Sequence, residues 1–288
     1  MKLFRSNKFN FYPATFYPAT MAAMLLNLIP LTAIGATSSQ IVLSSEVPYI
    51  PLNPARGDAS PRSGKLWGNI RENEPAGMLV KFSDGFESPP HIHNITYRGV
   101  VISGEVHNDD PDAAKMWMGP GSFWTQPAGE EHITAARGED PTIFLEILSG
   151  PYLVQPSEDS FDNGELPVNV AADNLVWLGA VDSTWITAAD AEIAFLWGNL
   201  EDEEKNGTAL KLKPGFDGII KTESPVMHAV TIQGRTTVEL SGQSSSSELA
   251  PGGYFASNGS ASHKVSCRSD TECVLYLHTE GKYEITAE

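Results

Sequence analysis

A sequence repeat constrains the fold of this chain more than any other feature. Leu66-Trp67-Gly68-Asn69 recurs as Leu196-Trp197-Gly198-Asn199, displaced by 130 residues, and Gly85-Phe86 recurs at the same displacement. After one inserted residue the correspondence continues, with the pairs Pro120-Gly121 and Pro251-Gly252, His132 and His263, and Tyr152 and Tyr283. Such constant spacing indicates an internal duplication, so we expect each half to hold one copy of the same fold.

Both halves have the pattern of β-structure. Hydrophobic residues make up 41% of the 288 residues, and 25 glycines and 20 prolines supply many turns. Short apolar runs bounded by Gly, Pro, Asp and Ser, such as 77–82, 99–102, 142–148 and 273–278, are typical of strands in a sandwich or barrel. We therefore predict an all-β protein with an N-terminal domain at residues 37–165 and a C-terminal domain at residues 166–288.

Three histidines of the first half form a pattern that predicts a metal site. The pattern consists of Gly85-x5-His91-Ile92-His93 and Gly121-x5-Pro127-x-Gly129-x2-His132. Residues i and i+2 of a strand point to the same face, so His91 and His93 can present their rings to one point. Pro127 and Gly129 suit a tight turn, after which His132 begins a returning strand. We predict that His91, His93 and His132 bind one metal ion.

These segments resemble the two cupin motifs, G-x5-H-x-H-x3,4-E-x6-G and G-x5-P-x-G-x2-H-x3-N. The resemblance covers roughly residues 40–288, and the tandem arrangement is similar to that of bacterial two-barrel cupins (bicupins) of unassigned function. It implies two tandem cupin-type jelly-roll β-barrels, one per half, with the metal near an open end of the first. It would also suggest that the two barrels pack against each other and that the protein forms homodimers.

The first half departs from the cupin pattern at two positions. The usual glutamate is replaced by Tyr97 or Arg98, depending on the spacing, and the closing asparagine is Ala136. Strand alternation places Tyr97 on the face of the paired histidines, so its phenol is a candidate catalytic group, as an acid/base or a substrate hydrogen bond. The alternative is an aromatic residue that only lines the barrel. Arg98 is expected to point outward, towards solvent or an acidic loop.

The second half has lost most of the metal pattern. Lys221 and Glu223 stand where the first half has His91 and His93, and only His263 remains of the three histidines. Glu223, His228 and His263 could form a two-His, one-carboxylate set. Strand alternation puts His228 on the opposite face, however, unless a bulge intervenes. We therefore predict a degenerate site without metal.

The residues limit the chemistry without identifying a substrate. Imidazole ligands suit one divalent transition metal, Zn, Fe, Ni or Mn. A metal with open positions can act as a Lewis acid, activate water or bind O₂. We therefore expect an enzyme acting on a small organic molecule, of dioxygenase, lyase or isomerase type. The alternative is a non-catalytic cupin that binds or senses a small ligand and holds a structural zinc, similar to the zinc-holding domains of anti-sigma factors.

The N-terminal segment is expected to be a targeting signal. Three basic residues precede an apolar stretch that ends in Ala33-Ile34-Gly35-Ala36, so residues 1–36 have the pattern of a secretory signal peptide. An uncleaved membrane anchor is the alternative, but the stretch is short for a membrane span. We therefore expect a periplasmic or extracellular protein that does not bind the membrane after signal cleavage.

Charge and cysteine content fit export and exclude some partners. The formal net charge is −17, and removal of residues 1–36 makes it −20, which argues against nucleic acid as a partner. Cys267 and Cys273 flank a polar turn. In an oxidising compartment they would form a disulfide, and two buried thiols are the alternative.

Overall fold

The computed structural model describes residues 38–199, 201 and 203–288, and almost all of its regular structure is antiparallel β. The predicted signal peptide, residues 1–36, lies outside the described residues. The strands are β1 (Ser38–Val42), β2 (Tyr49–Pro51), β3 (Arg62–Trp67), β4 (Ala76–Lys81), β5 (Phe86–Glu87), β6 (Ile92–His93), β7 (Tyr97–Asp109), β8 (Phe123–Gln126), β9 (Ile133–Ile147), β10 (Val154–Gln155), β11 (Val168–Val170), β12 (Ala191–Gly198), β13 (Lys205–Leu212), β14 (Asp217–Thr222), β15 (Val226–Gln233), β16 (Thr236–Glu239), β17 (Ser246–Leu249), β18 (Tyr254–Asn258), β19 (Ala261–Cys267), β20 (Cys273–Glu280) and β21 (Tyr283–Ala287). Short 3₁₀ helices lie at Ser44–Glu46, Pro54–Ala59, Ser157–Asp159 and Ala172–Asn174. The all-β prediction is confirmed.

The strands form two large sheets, one for each half of the chain, and two smaller ones. The first half contributes most of an eight-stranded sheet in the order β11-β8-β7-β9-β4-β3-β2, with β5 paired to β9. The second half forms a six-stranded sheet, β1-β18-β15-β20-β13-β12, and a five-stranded sheet, β17-β16-β19-β14-β21. A two-stranded ribbon, β10-β6, carries His93. The alternation of buried and exposed residues along these strands gives each half its own core.

Each half also lends an edge strand to the other. Strand β1 pairs with β18 in the sheet of the second half, and β11 pairs with β8 in the sheet of the first half. A third apolar core joins the two large sheets, with residues such as Leu79 and Phe144 from one and Val230 and Tyr276 from the other. Residues 37–288 accordingly form one compact unit.

Cys267 and Cys273 form a disulfide between the end of β19 and the start of β20. The bond closes the polar turn that joins the two strands, as one of the two sequence alternatives predicted. Among the residues that the structure describes, no helix has both the length and the apolar character needed to cross a membrane.

Candidate metal centre

The three predicted ligand histidines lie together in the first half. Their ligand nitrogen atoms all lie within 4.8 Å of one another. His93 and His132 are buried, whereas His91 is only half-buried. Within residues 38–199, 201 and 203–288, no other group of three His, Cys, Asp or Glu side chains is placed to hold a metal ion. The spacing of the motif therefore identified the cluster that the fold assembles.

Backbone hydrogen bonds fix the relative positions of the histidines. His91 and His132 form an isolated antiparallel bridge, in which the His91 amide donates to the His132 carbonyl at 3.1 Å and the His132 amide donates back at 3.0 Å. The amide of Gly129 donates to the carbonyl of His93 at 2.8 Å. The turn that leads into β9 is thus tied at two points to residues 91–93, which carry the other two ligands.

Gly129 is required in that turn for two reasons. Its φ of +78° lies in the left-handed region, which side chains other than glycine rarely adopt. A Cβ atom built there would lie 2.3 Å from the carbonyl oxygen of Phe161. The segment around Phe161 packs directly on the turn, and the Phe161 amide donates to the Gly129 carbonyl at 3.1 Å.

Carbonyl oxygens select the tautomer of all three imidazoles. The Nδ1 atom of His91 lies 2.9 Å from the Pro89 carbonyl, that of His93 lies 2.9 Å from the Leu153 carbonyl, and that of His132 lies 3.1 Å from the Glu130 carbonyl. A carbonyl oxygen can only accept, so each Nδ1 carries the proton and each Nε2 keeps its lone pair. This backbone support is typical of metal-ligating histidines, whose second nitrogen is held by a hydrogen bond.

Burial keeps the imidazoles neutral, as metal ligation requires. Desolvation, and then the neighbouring His91, lower the pKa of His132 to about 3. Desolvation, and then His132 and His91, lower the pKa of His93 well below its usual range. The pKa of His91 is also lowered, first by burial and further by the nearby Arg56. All three rings are therefore neutral at neutral pH, with one proton each, on Nδ1.

Tyr97 lies beside the cluster, on the face that strand alternation predicted. Its hydroxyl donates to the Asn108 Oδ1 atom at 2.8 Å, and its oxygen lies 3.3 Å from the His132 Nε2 atom. Asn108 in turn donates to the Gln126 Oε1 atom at 2.8 Å, and its Oδ1 also accepts from the Thr134 hydroxyl at 2.8 Å. Because the single phenol proton is held by Asn108, an oxygen lone pair is left facing the histidines. The three neutral imidazole nitrogens fit a divalent transition metal.

A second tyrosine, Tyr152, was not selected from the sequence. Its hydroxyl lies 3.1 Å from the His93 Nε2 atom, and its ring stacks on that of His93 with the centroids 4.3 Å apart. Burial raises the pKa of both the Tyr97 and the Tyr152 phenols, so both hold their protons at neutral pH. The one sequence feature that could have indicated a role for Tyr152 is that the repeat keeps a tyrosine at the equivalent position, Tyr283.

Two of the histidines, His91 and His93, line a cavity of about 390 Å³. Most of its wall is apolar and comes from Leu52, Ile70, Val80, Phe82, Phe86, Trp124, Ile143 and Leu145. The polar part includes two arginines, Arg56 and Arg71, besides His91, His93, Tyr97, Asn108, Tyr152, Asn53, Ser60, Ser88 and Thr134. This volume suits a small organic molecule, since ligand sites are concave and mainly apolar with a few placed polar groups.

The second half does not assemble the alternative metal set. Glu223 is exposed and accepts a hydrogen bond from the Ser260 hydroxyl at 2.5 Å, while its other oxygen lies 3.8 Å from Lys221 Nζ. The Nδ1 atom of His228 lies 2.8 Å from the Tyr254 hydroxyl, on the opposite face of β15. His263 is buried and accepts from the Ser241 amide at 3.2 Å. The bulge that would have turned His228 towards the other two does not occur in this stretch of β15, whose register with β18 is regular.

Comparison with solved structures identifies the fold. A "putative dioxygenase" from Nostoc punctiforme aligns with a TM-score of 0.64 at 13% identity, over 87% of this chain and 86% of the other. Oxalate decarboxylase from Lactobacillus farciminis, in a formate complex, aligns with a TM-score of 0.54 at 12% identity, over 86% and 88%. AerE from Microcystis aeruginosa aligns with a TM-score of 0.54 at 12% identity, over 83% and 97%. No curated protein matches by sequence.

The antiparallel sheets have the cupin-type jelly-roll fold of these structures, and the fold brings three histidines together. Residues 40–286 match the family model described as "Domain of unknown function (DUF4437)". The chain therefore belongs to the DUF4437 family.

Proposed function

We propose that this chain is a metal-dependent enzyme that acts on a small organic molecule by dioxygenase-, lyase- or isomerase-type chemistry. The observation that carries the proposal is the cluster of three neutral histidines, two of which, His91 and His93, line a cavity large enough for a substrate. A structural zinc site is usually closed by four protein ligands, whereas a catalytic site keeps an open position. Two of the similar structures, the "putative dioxygenase" and the oxalate decarboxylase, support the same class.

A divalent metal held by His91, His93 and His132 would supply Lewis-acid polarisation or O₂ activation next to the cavity. The chain itself supplies the proton chemistry. Tyr97 keeps its proton, because burial raises the pKa of its phenol, and Asn108 fixes the direction of its hydroxyl. In this orientation an oxygen lone pair faces the histidines, and Tyr97 acts as a general acid or as a hydrogen-bond donor to substrate only when its hydroxyl turns from Asn108 towards the cavity. Tyr152 holds a second protonated phenol beside His93.

The metal proposal is tested by elemental analysis of the full chain purified without chelators. We expect close to one transition metal per chain, and its loss in the His91→Ala, His93→Ala double variant. The matched control is Lys221→Ala, Glu223→Ala, which changes the corresponding positions of the second half, where both side chains are exposed. The control should retain its metal. Protein that contains no metal, or a control that loses it equally, would contradict the proposal.

The reaction class is tested by O₂ uptake with a panel of small organic molecules. Iron with substrate-dependent uptake would identify an oxygenase, and turnover without O₂ would identify a lyase or isomerase. Tightly bound zinc without turnover of any compound would instead favour the ligand-sensing alternative.

We infer also that the two halves arose by internal duplication. The support is that related positions carry the same local structure. A β-bulge lies between Lys65 and Trp67, and another lies between Phe195 and Trp197, at the displacement of 130 residues found in the sequence. Opposite these bulges, Gly77 pairs with Trp67 and Gly207 pairs with Trp197. Each half could be expressed separately, together with the edge strand, β1 or β11, that completes its sheet. Unfolding of each piece would then test whether each half folds as an independent unit.

We propose further that the protein is exported and that residues 1–36 are removed. The disulfide Cys267–Cys273 supports this proposal, because such bonds persist in oxidising compartments. N-terminal sequencing of protein from the native cell should give a mature start near residue 36 or 37. A full-length chain retained in the cytoplasm would contradict it.

A further inference from the structure

The charge of the cavity differs from that of the rest of the protein. The chain has 36 acidic and 19 basic residues, a formal net charge of −17. The described residues that line the cavity nevertheless include no aspartate or glutamate, and they include two arginines, Arg56 and Arg71. The metal ligands are three neutral imidazoles, so they would not balance the charge of a divalent ion. The cavity is thus a positive site in an acidic protein.

The two arginines are free to bind a ligand. Arg56 lies in the 3₁₀ helix Pro54–Ala59, and its guanidinium carbon lies 5.8 Å from the centre of the Phe86 ring. Arg71 directly follows Ile70, whose carbonyl accepts a hydrogen bond from the Tyr152 amide at 2.7 Å, so the backbone of Arg71 lies close to that of a site tyrosine. Within the described part of the chain, neither guanidinium group has an ion-pair or hydrogen-bond partner. Of the other described arginines, Arg137, Arg235 and Arg268 are all paired with carboxylates.

We propose that the substrate or ligand of this cavity is a small organic acid with an apolar body, whose carboxylate is bound by Arg56 and Arg71. A guanidinium group presents paired N–H donors that match the two oxygens of a carboxylate. The apolar wall, which includes Phe82, Phe86 and Ile70, would contact the body of the acid. This inference rests on the proposed function, because it assigns a substrate class to the same site. It does not require a particular metal.

A matched pair of ligands tests the inference. Isothermal titration calorimetry of the full, metal-containing chain would compare 3-phenylpropanoate with 3-phenylpropanamide, which have the same shape and differ in charge, and with acetate, which has the charge but no apolar body. We expect the acid to bind at least roughly tenfold more tightly than the amide or acetate. In the Arg56→Gln, Arg71→Gln double variant, we expect the preference for the acid over the amide to be lost.

The control variant is Arg62→Gln, which removes an exposed arginine that is not part of the cavity wall. The Arg62→Gln variant should bind the acid as tightly as the unmodified protein, because it changes the net charge of the protein but not the cavity. Equal binding of acid and amide by the unmodified protein, no binding of either compound, or an undiminished preference in the double variant would overturn the inference. In the last case the metal alone would be binding the carboxylate.

Metal content separates this inference from the proposed function. The Arg56→Gln, Arg71→Gln variant should contain as much metal as the unmodified protein, since neither residue is among the ligands. A protein without metal that still prefers the acid through its arginines would contradict the metal proposal and support the inference. A protein that contains metal but does not prefer the acid would support the metal proposal and contradict the inference about the arginines.

Discussion

Trp67 stacks face to face on His228, with ring centroids 4.2 Å apart and 7° between the ring planes. The contact joins a strand of the first half to a strand of the second. A corresponding contact runs in the other direction, where the guanidinium group of Arg98 lies over the ring of Trp197 at 3.9 Å. Positions 98 and 228 are related by the repeat, as are 67 and 197. Trp67 of the first half therefore covers position 228 of the second half, and Trp197 of the second half covers the equivalent position, 98, of the first.

Arg98 does lie on the strand face away from the histidines, as predicted, but the other half covers it instead of solvent or an acidic loop. Opposite it on β9 lies Glu146, which is fully buried and accepts hydrogen bonds from the Tyr276 hydroxyl and from His278 Nδ1, the latter at 3.1 Å. Burial alone would raise the pKa of Glu146, but His278, Tyr276 and Arg98 together hold it below its usual value. The buried carboxylate is thus charged and paired, as buried charges require.

The glycines beneath the two tryptophans give a test of this packing. A Cβ atom at Gly77 would lie 2.2 Å from the Trp67 ring, and one at Gly207 would lie 1.8 Å from the Trp197 ring. Gly77→Ala and Gly207→Ala should each lower the free energy of unfolding by about 1–3 kcal/mol, because overpacking displaces the ring. Denaturant unfolding measures the change. Gly179→Ala is the control, since no atom lies within 4 Å of a Cβ there, and an equal loss in this variant would contradict the explanation.

The sequence predicted the parts of the site that depend on local spacing. His91, His93 and His132 could be placed because strand alternation and one tight turn determine their geometry. Tyr152 could not be placed this way, because its contact with His93 spans 59 residues and depends on how the segment after β9 returns to the cavity. Arg56 was missed for a similar reason, as it joins the cavity from a short helix that precedes the motif.

The sequence pattern could not predict the exchange of edge strands between the two halves. Strand β1 is separated from its partner β18 by more than 200 residues, and its alternation only indicates that one face is buried. The choice of sheet depends on the free edge that the other half offers, which is a property of the whole fold. The all-β class followed from short strands and turns, because those signals are local.

The stability of the protein should fall in moderately acidic solution partly because of His228. Burial, and then the neighbouring His278, lower the pKa of His228 from 6.5 to about 4. The folded state thus holds the ring neutral, while the unfolded chain takes up a proton as the pH falls below 6.5. The neutral His228 therefore contributes about 3 kcal/mol to the free energy of unfolding. This contribution is fully present above pH 6.5 and is lost as the pH falls towards 4.

The measurement compares unfolding free energies of the unmodified protein and a His228→Gln variant at pH 7 and pH 4.5. The two proteins differ only at residue 228, so the difference in pH dependence isolates the contribution of His228. We expect the variant to lose less stability on acidification. An identical pH dependence of the two proteins would show that His228 is charged in both states or in neither.

Gly129→Ala should weaken metal binding without altering any ligand. The turn requires a φ of +78°, and the added Cβ would meet the Phe161 carbonyl, so the backbone that carries His132 must shift. Gly164→Ala is the matched control, because its φ of +83° imposes the same backbone strain but no atom lies within 4 Å of the Cβ position. Competition with a chromogenic chelator should show a roughly tenfold or greater loss of affinity in Gly129→Ala alone. Equal affinities in the two variants would mean that strain, and not the contact with Phe161, governs the site.

Tyr97→Phe separates a catalytic phenol from an aromatic residue that only lines the cavity. The ring, its packing and the three histidines remain, so we expect the same metal content as in the unmodified protein. If Tyr97 supplies a proton to the reaction, turnover of the substrate identified in the O₂-uptake or ligand panel should fall about 100-fold or more. The loss should appear in kcat, because the proton is needed in the transition state and not for binding.

The control for the loss of a buried hydroxyl is Tyr283→Phe. Tyr283 is also buried, and its hydroxyl bonds to the Thr208 hydroxyl at 2.7 Å in the second half, away from the metal cluster. Both variants lose one buried hydrogen bond and should lose similar stability, about 1 kcal/mol. Only Tyr97→Phe should lose activity. Unchanged kcat in Tyr97→Phe would assign the residue to the barrel lining, and loss of the metal would instead make the phenol oxygen a ligand, because the three imidazoles would then be insufficient to hold the ion.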